Sequence, residues 1–112
     1  MTWTVFDAGN SIGQRGSEGG IILQNDEHSL GARITLEQDG SIAPFSITCG
    51  IYGWMFHTRF FGSQQEAESE YEQMKVEMAD ILNVIPLTSA PKDDEKMALV
   101  SDAISKFVER NP

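Results

Sequence analysis

A single cysteine, Cys49, rules out an intramolecular disulfide, and a lone thiol suits a reducing compartment. Basic residues are scarce. Eight lysines and arginines stand against seventeen acidic residues, for a formal net charge of -9. Such a surface repels phosphate backbones and anionic lipid headgroups, which disfavours nucleic acid and membrane surfaces as partners. It leaves basic proteins, small ligands, or charge kept for solubility alone. Long apolar runs are missing too, and no stretch approaches the length of a transmembrane helix. The segment Met1-Thr2-Trp3-Thr4-Val5-Phe6-Asp7 has no basic region ahead of an apolar run, so it does not read as a signal peptide. The expectation is a cytoplasmic protein.

Metal chemistry lacks its raw material. There are two histidines, His28 and His57, with no His-x-x-x-His or Glu-x-x-His spacing on a helix, and one cysteine excludes a thiolate cage. The contiguous Asp26, Glu27 and His28 read as a polar turn, and neither a metal nor a cofactor is expected. No motif specifies a reaction, and no family signature stands out.

What is present divides the 112 residues into two halves of one domain. All ten glycines lie in residues 1–62, whereas residues 63–112 hold none and carry eleven of the seventeen acids. Strands and turns therefore come first and helices follow, which argues for an α+β fold over an alternating α/β one. Trp3 to Phe6 reads as a short strand. Five glycines between Gly9 and Gly20 read as a connecting loop. Ile21 to Gln24 starts the next strand, and the polar run Asn25 to Ser29 reads as a turn. Ala32, Ile34 and Leu36 alternate with Arg33, Thr35 and Glu37, the period of a half-buried strand. Asp39-Gly40 is a tight-hairpin signal with positive φ expected at both residues. Phe45, Ile47 and Cys49 alternate on the return strand, residues 50–53 read as a second turn or a bulge, and Trp54 to Phe61 closes the sheet.

Ser63-Gln64-Gln65-Glu66 is a capping box. Behind it Ala67, Tyr71, Met74, Met78, Ile81, Leu82 and Ile85 fall on one helical stripe that Pro86 ends. After a linker with Pro91, Asp93-Asp94-Glu95 opens a second amphipathic helix with Met97, Val100, Ile104, Phe107 and Val108 as its stripe. The whole is expected to be an antiparallel β-meander of three to five strands, followed by two amphipathic helices packed on one sheet face.

Candidate sites are few. His57 and Arg59 alternate with Trp54, Phe56 and Phe60. If the helices cover the aromatics, His57 and Arg59 look outward, where Arg33 joins them as an anion site or as ordinary solvated charges. The glycine-rich loop, with Arg15, has the backbone freedom to hold an anion. It lacks the Gly-Lys-Ser/Thr ending and the following helix of a phosphate loop, so a mobile connector is the simpler reading. Cys49 falls on an apolar strand face, and a tight hairpin at 50–53 keeps it out of direct opposition to His57. Tyr52 and Trp54, in an aromatic-dense hairpin, and Val76 and Leu99, off the helical stripes, are candidate interface residues. The function expected is a non-enzymatic protein-interaction or homodimerisation module. The alternative is a domain binding a small anionic ligand, or an enzyme, using Arg33, His57 and Arg59.

Overall fold

Alternation in two central strands, β3 (Ala32–Gln38) and β4 (Phe45–Ile51), sets the core in the computed structural model, which describes residues 2–85 and 94–112. Ala32, Ile34 and Leu36 stand opposite Ile51, Cys49 and Ile47, and all six are buried. Around them run β1 (Trp3–Val5), β2 (Ile21–His28) and β5 (Met55–Phe61). The five strands lie in chain order, β1-β2-β3-β4-β5, with every neighbouring pair antiparallel. A tight turn at Phe6–Gly9, with Asp7 and Ala8 at positive φ, follows β1.

Two helices pack on the face that carries those six residues. Helix α1 (Gln64–Val84) begins where the Ser63 Oγ accepts a hydrogen bond from the Glu66 amide at 3.3 Å. It buries Ala67, Tyr71, Met74, Met78, Ile81 and Leu82, each large apolar member contributing about 1.5–3 kcal/mol. Helix α2 (Asp94–Arg110) buries Val100 and Phe107 and half-buries Met97 and Ile104, while Val108 of the expected stripe is exposed. Pro86, Pro91 and Asp93, which sequence reasoning placed at the helix boundaries, lie outside the described residues.

Three local expectations are corrected. The polar run Asn25 to His28 is strand, because neighbouring groups satisfy its polar atoms. Asn25 takes hydrogen bonds from Arg33 Nε and Thr35 Oγ1 at 3.0 and 3.1 Å, and gives one to Ser11 Oγ at 3.0 Å. The turn comes later, at residues 29–31, with Gly31 at φ 107°. The Asp39-Gly40 connection is a six-residue loop between the paired Gln38 and Phe45, not a two-residue turn. Only Asp39 has positive φ there, and Gly40 is needed for closeness instead, since a Cβ would come within 3.0 Å of the Glu18 carbonyl. The β4–β5 turn is Tyr52-Gly53-Trp54, so Gly50 and Ile51 belong to β4.

Two outcomes follow. Phe107→Ala removes the aromatic that ties α2 into the core and should lower the unfolding free energy by about 3–5 kcal/mol in chemical denaturation. His28 is buried and its Nδ1 accepts from the Leu30 amide at 3.1 Å, so burial pushes its pKa below the ordinary 6.5. The unfolded chain then takes up the proton first. The contribution of neutral His28 is present above pH 6.5 and is lost as pH falls below that value. The fall in stability between pH 7 and pH 5.5 should be shallower in His28→Gln, measured by denaturation midpoints.

Candidate functional site

Strand pairing builds the face away from the helices in three rows. Ile22, Glu37, Ser46 and Phe60 form one row, and Asn25, Thr35, Thr48 and Thr58 form the next. Glu27, Arg33, Gly50 and Phe56 form the third. The middle row is nearly all hydroxyl. The third has a gap, since Gly50 puts no side chain between a guanidinium and a phenyl ring.

The glycine-rich segment folds back over this face. Gly13 N–H donates to the Ile22 carbonyl and Ile22 N–H to the Gln14 carbonyl, at 2.8 and 2.9 Å, and Gly16 N–H closes on Gly20 at 2.8 Å. Its anchor is Glu37, only 1% exposed, whose carboxylate accepts from the Glu18 amide at 3.2 Å and the Gly20 amide at 3.0 Å. The loop therefore does gather its amides round an anion, but the anion is the chain's own. A Cβ at Gly16 would lie 2.4 Å from the Glu37 carboxyl carbon, so a larger residue there must displace that carboxylate from its donors. The mobile-connector reading is corrected: a buried carboxylate without these donors would be costly, so loop and Glu37 hold each other. Arg15, expected to help bind an anion, gives its Nη1 to the Gly19 carbonyl at 2.6 Å.

Between this loop and the β4–β5 hairpin lies a groove of about 860 Å³. Arg33, Thr35, Thr48 and Gly50 line its floor, Ser11 and residues 14–17 of the loop one wall, and Tyr52, Trp54 and Phe56 the other. Arg33 lies flat on the Phe6 ring, 3.6 Å from its centroid. It takes part in no described ion pair.

His57 and Arg59 are not on this face. They stand opposite Cys49 and Ile47, on the side the helices cover, so the expected orientation of β5 is reversed. Phe56, 76% exposed, and Phe60, 43% exposed, point out instead. The three-residue turn explains the reversal: it pairs Ile51 with Met55 and so puts odd-numbered residues of both strands on one face. His57 Nε2 donates to the Asn111 carbonyl, and its ring meets Phe107 edge-on at 6.5 Å. Arg59 Nη1 donates to Asn111 Oδ1 at 2.9 Å and pairs with Glu70 at 3.4 Å. Asn111, 2% exposed, also donates to Glu77 at 2.7 Å. These contacts clamp the end of α2 onto β5 and α1. Arg33 and the pair His57 and Arg59 thus lie on opposite faces and form no common site.

Cys49 and His57 are direct cross-strand partners, contrary to the expectation from a tight hairpin. Burial pushes the Cys49 thiol up to about 12, so it stays protonated at neutral pH and packs as a small apolar group. Among the described residues no group of three or more His, Cys, Asp or Glu could hold a metal. Of the candidate interface residues, Tyr52 is exposed and Trp54 half-buried beside the groove. Val76 and Leu99 are exposed on α1 and α2, away from it.

Glu37, Gly50 and Asn111 were not singled out from sequence. A carboxylate alternating with Leu36 next to a five-glycine loop was a usable signal for Glu37. Asn111 had none, since its partners are remote in the chain. Comparison with family models, curated proteins and solved structures finds no match to this chain.

Glu37→Ala should strand the Glu18 and Gly20 amides, cost about 1–3 kcal/mol for the buried groups left unpaired, and free the loop. Hydrogen exchange should then accelerate at residues 16–20 and remain slow in α1.

Proposed function

We propose that this chain is a non-enzymatic interaction domain that pairs with a second copy of itself through the edge of β5. The observation that carries this reading is the free side of that strand. β5 is seven residues long, and no described residue bonds the row of backbone groups facing away from β4. A strand edge of that kind is a template for another strand.

The side chains of β5 are self-complementary about Thr58. In an antiparallel pair related by a two-fold axis at Thr58, Phe56 lies opposite Phe60 of the second copy, and the reverse holds on the other side. Each cross-strand aromatic pair contributes about 0.2–1 kcal/mol beyond the backbone bonds. The charges that guard many edges are not turned outward, since His57 and Arg59 are engaged with Asn111 and Glu70. Electrostatics also favours this edge for contact between like molecules. No acidic residue lies between Asp39 and Glu66, so a chain of net charge -9 meets its copy along its least anionic stretch.

A non-enzymatic role draws support from the Cys49 and His57 pair, where the thiol is held protonated and the imidazole is bonded to a backbone carbonyl. The same reading places the protein in the cytoplasm, where a free cysteine persists. Among the described residues no helix is long and apolar enough to cross a membrane.

Sedimentation and native mass spectrometry across the micromolar range should give a dimer for the native chain. Phe60→Lys, an exposed change outside the groove, should give a folded monomer. A native chain that stays monomeric, or a dimer that survives the substitution, overturns the assignment.

A further inference from the structure

We propose that the groove on the outer sheet face is a binding site for a small aromatic monocarboxylate, its ring over Gly50 and its carboxylate on Arg33. This goes beyond the pairing of β5 edges and does not depend on it.

Gly50 is the first reason. It sits inside β4, where glycine weakens a strand and commonly marks the close approach of a ligand or another backbone. Neither of the usual structural needs explains it. Its φ is not in the left-handed region, and a Cβ built there would meet only the Met55 carbonyl and the Phe56 ring, both at an ordinary 3.6 Å. Gly16 and Gly20 of the loop differ, because a Cβ on either would collide at 2.4 and 2.5 Å. What the missing side chain does at Gly50 is keep the floor open between Arg33 and Phe56, its two cross-strand neighbours.

Arg33 is the second reason. In a chain with seventeen acidic residues it has no carboxylate within ion-pair distance among the described residues. Its cross-strand neighbour Glu27 is not part of the groove lining, and Glu37, which is, has its oxygens engaged by loop amides. The guanidinium is held in place by Asn25 on Nε and by the Phe6 ring beneath it. A planar group fixed this way, with nitrogens left over, matches one carboxylate in two-pronged geometry.

The walls complete the chemistry. Trp54 and Phe56 offer aromatic surface on one side, and Thr35 and Thr48 place hydroxyls on the floor. A volume of about 860 Å³ lies within the range of sites for small organic molecules. Two arginines line the groove, but Arg15 is exposed and turned to the Gly19 carbonyl, and the Glu37 carboxylate shares the lining, so Arg33 alone faces the floor and a single negative charge is favoured over a polyphosphate.

The test uses benzoate, phenylacetate and indole-3-acetate as probes of the 112-residue chain, followed by amide and arginine Nε resonances in NMR. At least one should give saturable shifts at Gly50, Thr48 and Arg33 Nε, with the corresponding neutral amide binding about tenfold more weakly or worse. Gly50→Val, which fills the floor at a strand position where a Cβ meets only ordinary contacts, should keep the amide spectrum of the fold and lose the shifts. Arg33→Met should remove the preference for the acid over the amide. The proposal is overturned if no probe saturates in the millimolar range or if acid and amide bind equally. It also fails if binding persists in folded Gly50→Val. Should Gly50→Val not fold, Gly50→Ala and Arg33→Met decide by the same readouts. Loss of dimerisation in Phe60→Lys bears on the other reading only, because Phe60 does not line the groove.

Discussion

The pairing of Cys49 with His57 decides what each face of this sheet is for. Once β4 offers Ile47, Cys49 and Ile51 to the helices, a three-residue turn forces Met55, His57, Arg59 and Phe61 to follow them. Shifting that register by one residue would send every side chain of β5 to the other face. Phe56 and Phe60 would then enter the core, and His57 and Arg59 would lose Asn111 and Glu70. The clamp on α2, the exposed aromatic edge and the far wall of the groove all follow from this one parity.

A second constraint works on the other side of the sheet. Glu37 alternates outward from β3 and would be an ordinary exposed residue on a bare sheet. The loop from Gly9 to Gly20 covers it, and burial of a carboxylate is tolerable only with donors in place. The amides of Glu18 and Gly20 supply them, and the glycines allow the backbone near enough to do so. The loop is thereby fixed at a set height above Thr35 and Thr48, and the groove has a wall.

The order of strands and helices, the core of β3 and β4, and the buried stripe of α1 were all legible in the sequence, because period and glycine distribution are local signals. The faces of β5 were not. Its residues are aromatic on one parity except for Thr58 and include His57 and Arg59 on the other, so alternation alone favoured burying Phe56 and Phe60. The deciding quantity was the length of the turn at 52–54, which two glycines at 50 and 53 left ambiguous. Only Gly53 has the positive φ of a turn residue. The polar run at 25–28 misled for a related reason. Asn25 and His28 look like turn residues until Ser11, Arg33, Thr35 and the Leu30 amide are known to bond them.

Charge segregation joins these features to recognition. The acids concentrate in the helical half, while the stretch from Gly40 to Gln65 has none. Charges farther apart than the Debye length, about 8 Å at physiological ionic strength, are largely screened at the surface. The helices lie on the opposite face of the sheet from the groove, so their carboxylates act on it weakly. Arg33, which makes no described ion pair, keeps its local attraction for an anion despite a net charge of -9. The same screening lets two β5 edges approach, since what each presents at close range is Phe56, Thr58 and Phe60. The acidic composition thus describes the helices well and the sheet's outer face poorly, and net charge alone is a weak guide to what that face binds.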